Sequence, residues 1–261
     1  MNILDKIVAQ KQIEVAARKL QTPVAVLEQM KYFSAETLSL YSFLLDPTKT
    51  GIIAEYKRKS PSKGVINDQA TVEEVTMAYA KYGASGISVL TDTEFFGGSL
   101  TDLLAATINE LPLLRKDFMI DEYQLIEAKA HGAEVILLIA ACLSPDKVKS
   151  MAATAKSLGL EVLLEIHNKQ ELEHICDSID LVGVNNRNLK TFEVSIDTSL
   201  ALIKQIPTNK LAIAESGISN VDTIVTLRQA GFKGFLIGEN FMKQASPSIA
   251  FADFVHQLKA K

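Results

Sequence analysis

The stretch EVILLIAACLSPDKVKSMAATAKSLGLEVLLEI, residues 134–166, contains the unit from which the fold of this 261-residue chain can be predicted. It begins and ends with short apolar runs. Between them, Ser144-Pro145 supplies an N-cap and a first-turn proline for a helical pattern, and Gly159 follows that pattern where helices commonly end. The first run is apolar on both faces, which is typical of a parallel strand covered by helices. The stretch therefore predicts a strand, a crossover helix and a second parallel strand.

Eight apolar runs of this kind start roughly 20–35 residues apart, enough for a strand, a crossover helix and two loops. They are GIIAEYKR (51–58), GISVLTD (86–92), PLLRKDF (112–118), EVILLIA (134–140), EVLLEI (161–166), LVGVNNR (181–187), KLAIAES (210–216) and GFLIG (234–238). Helical patterns between them include Thr71–Tyr82, Asp121–His131, Ser144–Leu158 and Asn220–Ala230. Eight units favour an α/β fold of the (β/α)₈ TIM-barrel type over an open doubly wound sheet, which more often has five or six strands.

Residues 1–48 predict an N-terminal helical extension that packs on a barrel formed by residues 49–261. Apolar residues alternate with Lys, Glu and Gln in this part of the chain, as in an amphipathic helix. Thr22-Pro23 interrupts the pattern and can start a second helix, and residues 43–50, which include Asp46-Pro47, predict a loop. The length and the absence of linker-like segments predict one domain over residues 1–261.

Composition excludes several classes of protein. The net charge is -4 and there is no basic stripe, so we expect no nucleic-acid partner. The longest apolar run, residues 135–143, is far shorter than the ~20 residues of a membrane helix, and the N-terminus does not resemble a secretory signal. Two cysteines without metal-like spacing fit a reducing compartment. We therefore expect a cytoplasmic protein without a membrane partner.

Polar residues follow most of the predicted strands, at the C-terminal barrel face where active sites of this fold lie. They are Glu55, Lys57 and Ser60 after the first strand, Lys116 and Asp117 after the third, Glu165 after the fifth, Asn185, Asn186 and Arg187 after the sixth, Glu215 and Ser216 after the seventh, and Gly238 and Glu239 after the eighth. Any one of them could be a cap or a loop residue. Their accumulation on six of eight strand ends favours a functional site.

Lys116 is the most informative of these residues because a buried lysine in an apolar run is costly unless it is paired or used. One interpretation is that it reaches outward to solvent or pairs with Asp117 or a neighbouring Glu. The other is a general acid whose pKa the site can adjust. Glu165 likewise suits either a general acid/base or a structural salt bridge.

The ends of the seventh and eighth strands predict a phosphate site, because barrels of this class often bind phosphate there. Glycines let the backbone approach an anion, and free N–H groups attract it. The sequence contains no nucleotide-binding glycine motif, so we expect no cofactor. His131, His167, His174 and His256 show no ligand-like spacing; we expect most of them to be solvated and predict no metal.

Eight long motifs, in order along the barrel, resemble the indole-3-glycerol-phosphate synthase family. They are IIAEYKRKSPSKG (52–64), LTDTEFFGGS (90–99), LLRKDFMIDEYQ (113–124), LLIAACL (137–143), GLEVLLEIHN (159–168), LVGVNNRNLKTFEV (181–194), AESGI (214–218) and FLIGENFM (235–242). The predicted N-terminal extension also resembles the family's extra helix near the barrel mouth. The resemblance implies a cofactor-free conversion of 1-(2-carboxyphenylamino)-1-deoxyribulose 5-phosphate to indole-3-glycerol phosphate, carbon dioxide and water.

The resemblance also implies roles for individual residues. Lys116 is the general acid of ring closure, Glu165 the acid/base partner in ring closure and dehydration, and Lys57 the residue that holds the substrate carboxylate and can donate a proton in dehydration. The residues implied in substrate binding are Glu55, Asn185, Arg187 and Glu215 for orientation, Ser216, Gly217, Gly238 and Glu239 for phosphate, Phe96, Phe118 and Leu137 for the anthranilate ring, and Ser60 in a closing loop over residues 60–67.

Glu239 departs from the family pattern, since some members have Ser at this position. A carboxylate would repel a phosphate, so we expect this side chain to point away and leave its N–H to bind. Two alternative functions compete with this interpretation. Phosphoribosylanthranilate isomerase uses a Cys and an Asp, whereas the first strand here offers Glu55 and Lys57; a non-catalytic phosphate-binding barrel does not need an intact Lys57/Lys116/Glu165 set. We expect a phosphorylated small-molecule substrate and a monomeric enzyme.

Overall fold

A closed barrel of eight parallel strands forms the centre of the molecule. The computed structural model describes residues 3–189 and 191–261. The barrel strands are β1 (Ile52–Tyr56), β2 (Gly86–Leu90), β3 (Leu113–Lys116), β4 (Val135–Ile139), β5 (Glu161–Ile166), β6 (Leu181–Asn185), β7 (Leu211–Glu215) and β8 (Gly234–Ile237). Each strand pairs with the next in the chain, and β8 pairs with β1, with Phe235 opposite Ile52. The predicted (β/α)₈ fold is confirmed.

Helices surround the barrel and extend it at the N-terminus. They are α1 (Ile3–Gln21), α2 (Val24–Leu27), α3 (Leu40–Leu45), α4 (Val72–Lys81), α5 (Thr93–Phe96), α6 (Leu100–Ala106), α7 (Tyr123–Ala130), α8 (Pro145–Ser157), α9 (Asp197–Leu202), α10 (Val221–Ala230), α11 (Glu239–Met242) and α12 (Pro247–Lys259). Short 3₁₀ helices lie at Ala140–Cys142, Gln170–His174 and Ile203–Gln205. The four predicted helical patterns correspond to α4, α7, α8 and α10. Within the described ranges, no helix combines the length and the apolar character needed to cross a membrane.

The predicted Ser-Pro start and the glycine end of the helix are both present in α8. The Ser144 side chain accepts a hydrogen bond from the Lys147 backbone N–H, and Pro145 occupies the first turn. Gly159 follows the helix with φ of 76°, the left-handed conformation that glycine adopts without a steric penalty. These local signals confine the helix between β4 and β5, so that the next strand can return parallel to the first.

Strand alternation divides the core into two layers. On β4, Val135, Leu137 and Ile139 point into the barrel, whereas Ile136 and Leu138 pack against the surrounding helices. Both sets are almost fully buried, which accounts for a run that is apolar on both faces. Truncating one such leucine to alanine typically costs about 2–5 kcal/mol.

The N-terminal extension differs from its prediction at two points. Phe43 does not belong to a loop, because α3 continues to Leu45 after a cap in which Ser39 accepts from the Ser42 N–H. The side chains of Leu40 and Leu44 from α3 pack beside Gly86 and Gly234, which begin β2 and β8. The helix thus covers the N-terminal end of the barrel, and residues without Cβ atoms make room for it.

The amphipathic pattern of the extension is also only partly realised. Ile7 and Val15 are buried, but Ile13 and Leu20 are 66% and 85% exposed. Lys11, which lies between the two buried residues, is itself almost fully buried. A lysine on the buried face of α1 was not predicted, because its partners come from distant parts of the chain.

Candidate active site

A cavity of about 630 Å³ opens at the C-terminal ends of the strands. All fifteen predicted site residues line it: Glu55, Lys57, Ser60, Phe96, Lys116, Phe118, Leu137, Glu165, Asn185, Arg187, Glu215, Ser216, Gly217, Gly238 and Glu239. Ile3, Leu4 and Ile7 of α1 form part of the wall, so the extension reaches the barrel mouth as expected. The structure therefore brings together residues that are distant from one another in the sequence.

Strand alternation explains why these side chains converge. On β3, β5 and β7 an inward apolar residue (Leu114, Leu163 or Ile213) is followed two positions later by an inward charged one. The charged residues are Lys116, Glu165 and Glu215. The apolar layer closes the barrel below, and the charged layer faces the cavity above it.

Lys116 lies at the centre of the charged layer. Its Nζ is 2.6 Å from Glu165 Oε2 and 2.9 Å from Glu215 Oε2. Burial acts to lower the pKa of Lys116, but the carboxylates of Glu165, Glu215 and Glu55 outweigh it and raise the pKa above its ordinary value. Lys116 is therefore protonated at neutral pH. Asp117, the alternative partner considered from the sequence, pairs with other cations on the opposite side of β3.

Glu165 is held as a carboxylate by three neighbours. Burial would raise its pKa, but Lys116 and His167 keep the pKa well below the ordinary value. Asn185 Nδ2 donates to Glu165 Oε1 at 3.1 Å, and His167 Nε2 lies 3.2 Å from the same oxygen. Lys116 and Asn185 thus hydrogen-bond to the two oxygens of the carboxylate, whereas His167 Nε2 lies at ion-pair distance without hydrogen-bond geometry.

The pKa of Glu215 is shifted in the opposite direction from that of Glu165. Burial, together with the nearby charges of Glu165 and Glu55, raises the pKa of Glu215 to about 7, although Lys116 acts to lower it. Its Oε1 atom is buried and has no hydrogen-bond partner in the described structure. A Cβ atom at Gly183 would collide with this oxygen, so the glycine creates the space that the carboxylate occupies. Glu215 can therefore change protonation state near neutral pH.

Glu55 on β1 and Lys57 just after it share a face, because residues two apart on an extended chain point the same way. Lys57 Nζ lies 2.7 Å from Glu55 Oε1. A Cβ atom at Gly238 would collide with the Glu55 side chain, so this glycine also admits a carboxylate. Glu55 is buried, whereas 15% of the Lys57 side chain is exposed. Lys57 is therefore accessible to a negatively charged group of a ligand.

One wall of the cavity is apolar. The rings of Phe96 and Phe118 have centroids 6.1 Å apart, and Leu137 lines the cavity from β4. Leu90 and Ile139 complete this wall. A flat aromatic group can bury its faces here, while its polar substituents reach the charged layer.

The opposite rim carries the features of an anion site. Ser216 and Gly217 both have left-handed backbone conformations, with φ of 65° and 74°. Gly238 precedes α11, and its position after β8 is where this fold often binds phosphate. The Glu239 carboxylate lies 3.6 Å from Arg187 Nη2 and 4.0 Å from Lys63 Nζ. Glu239 is thus engaged by cations.

The segment 60–67 forms part of a small hairpin beside the mouth. Lys59–Ser60 pairs antiparallel with Gly64–Val65, and Ser60, Pro61, Ser62 and Lys63 line the cavity. The Ser60 hydroxyl is buried and makes no hydrogen bond in the described structure. The hairpin does not join the barrel sheet, so its strands can move without breaking the barrel.

The expectation that most histidines are solvated is wrong for two of them. His167 and His174 are both buried at the side chain; His174 contacts the Glu171 and Leu143 carbonyls, and His167 contacts two carboxylates. The sequence contained a signal for His167, because it lies two residues after Glu165 and residues two apart on an extended chain share a face. A single histidine after a strand is too common a feature for that signal to be decisive.

Comparison with known proteins places this geometry in a family. The sequence model for indole-3-glycerol phosphate synthase matches residues 4–254. The chain is 45% identical over 261 residues to the indole-3-glycerol phosphate synthase of Bacteroides thetaiotaomicron, covering 99% of each chain. It is 42% identical over 256 residues to that of a Polaromonas species, covering 96% of this chain and 97% of the relative. These similarities extend over the barrel and the N-terminal helices.

Solved structures of lower sequence identity share the fold. A mutant tryptophan synthase α-subunit from the hyperthermophile Pyrococcus furiosus superimposes with a TM-score of 0.62 at 16% identity, covering 82% of this chain and 99% of that one. The 3-hexulose-6-phosphate synthase of Salmonella typhimurium gives a TM-score of 0.61 at 13% identity, covering 80% and 98%. At such identities the likeness concerns the barrel alone.

Proposed function

The chain belongs to the indole-3-glycerol phosphate synthase family, and we propose that Lys116, Glu165 and Lys57 carry out the proton transfers of its reaction. The protein is a carboxy-lyase of tryptophan biosynthesis. Its substrate is 1-(2-carboxyphenylamino)-1-deoxyribulose 5-phosphate, which undergoes ring closure, decarboxylation and dehydration. One observation supports this assignment of roles above all. Lys116 is held in its charged form between two carboxylates, in a cavity that also has an aromatic wall.

Ring closure forms a bond between the carboxyl-bearing ring carbon and the ketone carbon of the substrate. Negative charge then develops on the ketone oxygen, which requires a proton donor. Lys116 is protonated at neutral pH and lines the cavity, so it supplies that proton. Glu165 and Glu215 hold the ammonium in place by contacts of 2.6 and 2.9 Å.

Decarboxylation follows because ring closure has interrupted the aromaticity of the ring, and loss of carbon dioxide restores it. The protein has to hold the ring and its carboxylate until that point. Phe96, Phe118 and Leu137 provide apolar contact for the ring. Lys57, partly exposed beside Glu55, provides a cation for the carboxylate.

Dehydration removes the former ketone oxygen as water and needs both a base and an acid. Glu165, whose pKa is kept low, suits the base that accepts a proton from the ring system. The acid that protonates the leaving hydroxyl is either Lys57 or the carboxyl of Glu165 once it carries a proton. An acid and a base whose surroundings give them different pKa values are suited to donate and accept protons in successive steps.

The phosphate group of the substrate binds at the rim formed by β7 and β8. Backbone N–H groups of Ser216, Gly217, Gly238 and Glu239 hold it, with Arg187 nearby. The Glu239 side chain is engaged with Arg187 and Lys63, which supports binding through its N–H alone. Glu55 and Asn185 orient Lys57 and Glu165 through the contacts described above.

Further features of the proposal concern the whole chain. The hairpin over residues 60–67 closes on the bound substrate and excludes water, with Ser60 reaching the ligand. Residues 1–261 act as a single domain, with the barrel over 49–261; residues 1, 2 and 190 lie outside the described structure. We place the enzyme in the cytoplasm as a monomer that needs no cofactor.

Incubation of the purified chain with 1-(2-carboxyphenylamino)-1-deoxyribulose 5-phosphate tests the function. We expect the fluorescence of an indole product and release of one carbon dioxide per turnover, without added metal or nucleotide. Phosphoribosylanthranilate is the control substrate, and we expect no turnover of it. A well-folded protein that produced no indole would contradict the function, and turnover of the control substrate would favour the isomerase.

A further inference from the structure

The side chain of His167 connects the catalytic layer to a second carboxylate behind it. Its Nε2 lies 3.2 Å from Glu165 Oε1, and its Nδ1 lies 3.3 Å from Glu171 Oε2. Only 8% of the side chain is exposed, and among the described residues His167 is not part of the cavity wall. The imidazole therefore does not act on a substrate directly; its effect must pass through Glu165.

Glu171 is held so that it can support a charged imidazole. Its Oε2 accepts a hydrogen bond from the His167 backbone N–H at 2.7 Å, and its Oε1 accepts one from Asn168 Nδ2, also at 2.7 Å. Asn168 Oδ1 in turn accepts from the N–H groups of Gln170 and Glu171. The turn after β5 is thus a closed set of hydrogen bonds, and its carboxylate is aimed at the imidazole.

We propose that His167 is a positioning residue for catalysis: as an imidazolium held by Glu171, it places a positive charge within ion-pair distance of the Oε1 side of Glu165. Lys116 occupies the other oxygen of Glu165, and Asn185 contacts the first. Lys116 and Asn185 thus hold the base by hydrogen bonds, and His167 adds a charge behind it. The inference rests on the proposed role of Glu165 and goes beyond it.

The surrounding charges favour the imidazolium. Burial would lower the pKa of His167, but Glu165 and Glu171 outweigh it and raise the pKa to about 9. Lys116 faces Glu165 from the cavity, and Cys142 lies close enough to Glu165 and Glu171 to be affected by their charges. Burial and the nearby carboxylates raise the pKa of the Cys142 thiol to about 12, so it stays uncharged at neutral pH.

The kinetic consequence follows from Coulomb's law. Removing a positive charge about 3 Å from Glu165 makes its ionised form less favourable, so its pKa should rise by about one unit or more. The acidic limb of the kcat–pH profile should move to higher pH by the same amount. Because His167 does not line the cavity, KM should change little.

Two substitutions at position 167 separate charge from packing. His167→Gln keeps a polar side chain and removes the positive charge. His167→Leu removes the charge and the polar group together. For His167→Gln we expect the acidic midpoint to rise by about one pH unit and KM to stay within about twofold. Because the pKa of Glu165 starts well below its ordinary value, the carboxylate stays ionised at pH 7, and kcat at that pH should fall only through the loss of positioning, by up to about tenfold. Glu171→Gln, which leaves the imidazole in place and weakens its charge, should shift the midpoint in the same direction by less.

His174→Gln is the matched control. His174 is buried in the same turn and bonds to the Glu171 and Leu143 carbonyls, but no contact to Glu165 is described. We expect it to lower stability without moving the acidic midpoint. An unchanged midpoint in both His167 variants would overturn the proposal, as would an equal shift in His174→Gln.

A readout independent of turnover covers the case in which the His167 variants do not fold. Nitrogen-15 NMR of the wild-type imidazole reports its protonation directly. We expect His167 to be an imidazolium at neutral pH and to lose its proton at a pKa of about 9; a neutral ring at neutral pH would overturn the proposal. This measurement needs no substrate. It can therefore test the protonation of His167 even if the protein does not catalyse the proposed reaction.

Discussion

Two charged clusters lie on opposite faces of the same strand, β3. The mouth cluster consists of Glu55, Lys57, Lys116, Glu165 and Glu215 and faces the cavity. The anchor cluster consists of Lys11, Arg18, Asp92, Arg115, Asp117 and Glu127 and lies between the barrel and α1 and α7. Lys116 belongs to the first, and its two sequence neighbours belong to the second, because successive side chains of a strand point to opposite faces.

The anchor cluster pairs each of its buried cations with carboxylates at ion-pair distance. Lys11 Nζ lies 2.8 Å from Asp92 Oδ2 and 2.9 Å from Asp117 Oδ1, and Arg115 Nη2 lies 3.1 Å from Asp117 Oδ2 and 2.8 Å from Glu127 Oε2. Burial would raise the pKa of Asp117, but Arg115 and Lys11 lower it far below its usual range. The repulsion between these two cations is offset by the carboxylates that lie between them. This cluster attaches α1 to the end of β3.

The mouth cluster has fewer lysines than carboxylates around the cavity. Three carboxylates share two lysines, one oxygen of Glu215 has no hydrogen-bond partner in the described structure, and the pKa of Glu215 is raised to about 7. Asp117 and Glu215 are both buried, yet their pKa values shift in opposite directions. Burial alone therefore does not determine the state of a carboxyl group; the cations in direct contact with it do. Asp117 contacts two cations, Lys11 and Arg115, whereas Glu215 contacts Lys116 alone and shares it with Glu165. The cluster in which carboxylates share one lysine is the one that faces the cavity.

The largest expected effect in the comparison comes from Lys116→Met. Loss of a general acid typically reduces the rate by about 10²–10⁴-fold, so kcat should fall by that factor. The free energy of unfolding should change by less than about 2 kcal/mol, because Glu165 and Glu215 border the cavity and can take up protons. Turnover assays and urea unfolding measure the two quantities.

Lys156→Met is the control for that variant, since Lys156 pairs with Asp180 on the surface, with 41% of its side chain exposed. We expect near wild-type turnover from it. Near-normal turnover by Lys116→Met would remove this residue as the acid.

The next largest effect is expected from replacing the preceding residue by methionine, in Arg115→Met. Arg115 is fully buried, and its removal leaves Glu127 and Asp117 with fewer cationic partners. Breaking a buried ion pair in this way costs about 3–5 kcal/mol, so the free energy of unfolding should fall by that amount in urea titrations. The folded fraction should keep substantial activity. A stable but inactive Arg115→Met would show that the two clusters are not separate in function.

The smallest effect concerns the pH dependence of stability through Glu215. Its folded-state pKa of about 7 lies above the ordinary value of 4.5, so its favourable contribution is present below pH 4.5 and is lost as the pH rises through 7. Because glutamine does not titrate, Glu215→Gln does not lose stability in this way as the pH rises. Relative to wild type, the variant should gain about 1–3 kcal/mol of unfolding free energy as the pH is raised across that interval.

Urea unfolding of both proteins at the two ends of the interval checks this, with the exposed Glu36→Gln as the control expected to show no such trend. A difference between Glu215→Gln and wild type that stays constant with pH would mean that the carboxyl titrates in its ordinary range.

Local patterns allowed much of the fold to be predicted from the sequence. Eight apolar runs, a Ser-Pro helix start and glycines after helices predicted the barrel and four of its helices, because these signals act over a few residues. The residues at the strand ends were also predictable, since a parallel barrel brings the same end of every strand to one face. All the strand-end residues except Asn186 line the cavity, as do the site residues implied only by the family resemblance, and their roles stay predictions until the variants are measured.

That charged residues meet at the barrel mouth follows from the amino-acid sequence alone, whereas which of them pair depends on tertiary packing. Lys11 has the sequence context of a solvated residue on an amphipathic helix, yet it is buried against Asp92 and Asp117. His167 attracted no role, yet it lies behind Glu165. In each case a partner is brought close by strand register or helix packing. The protonation state of a buried charge depends on such neighbours, and for this reason no local pattern could predict it.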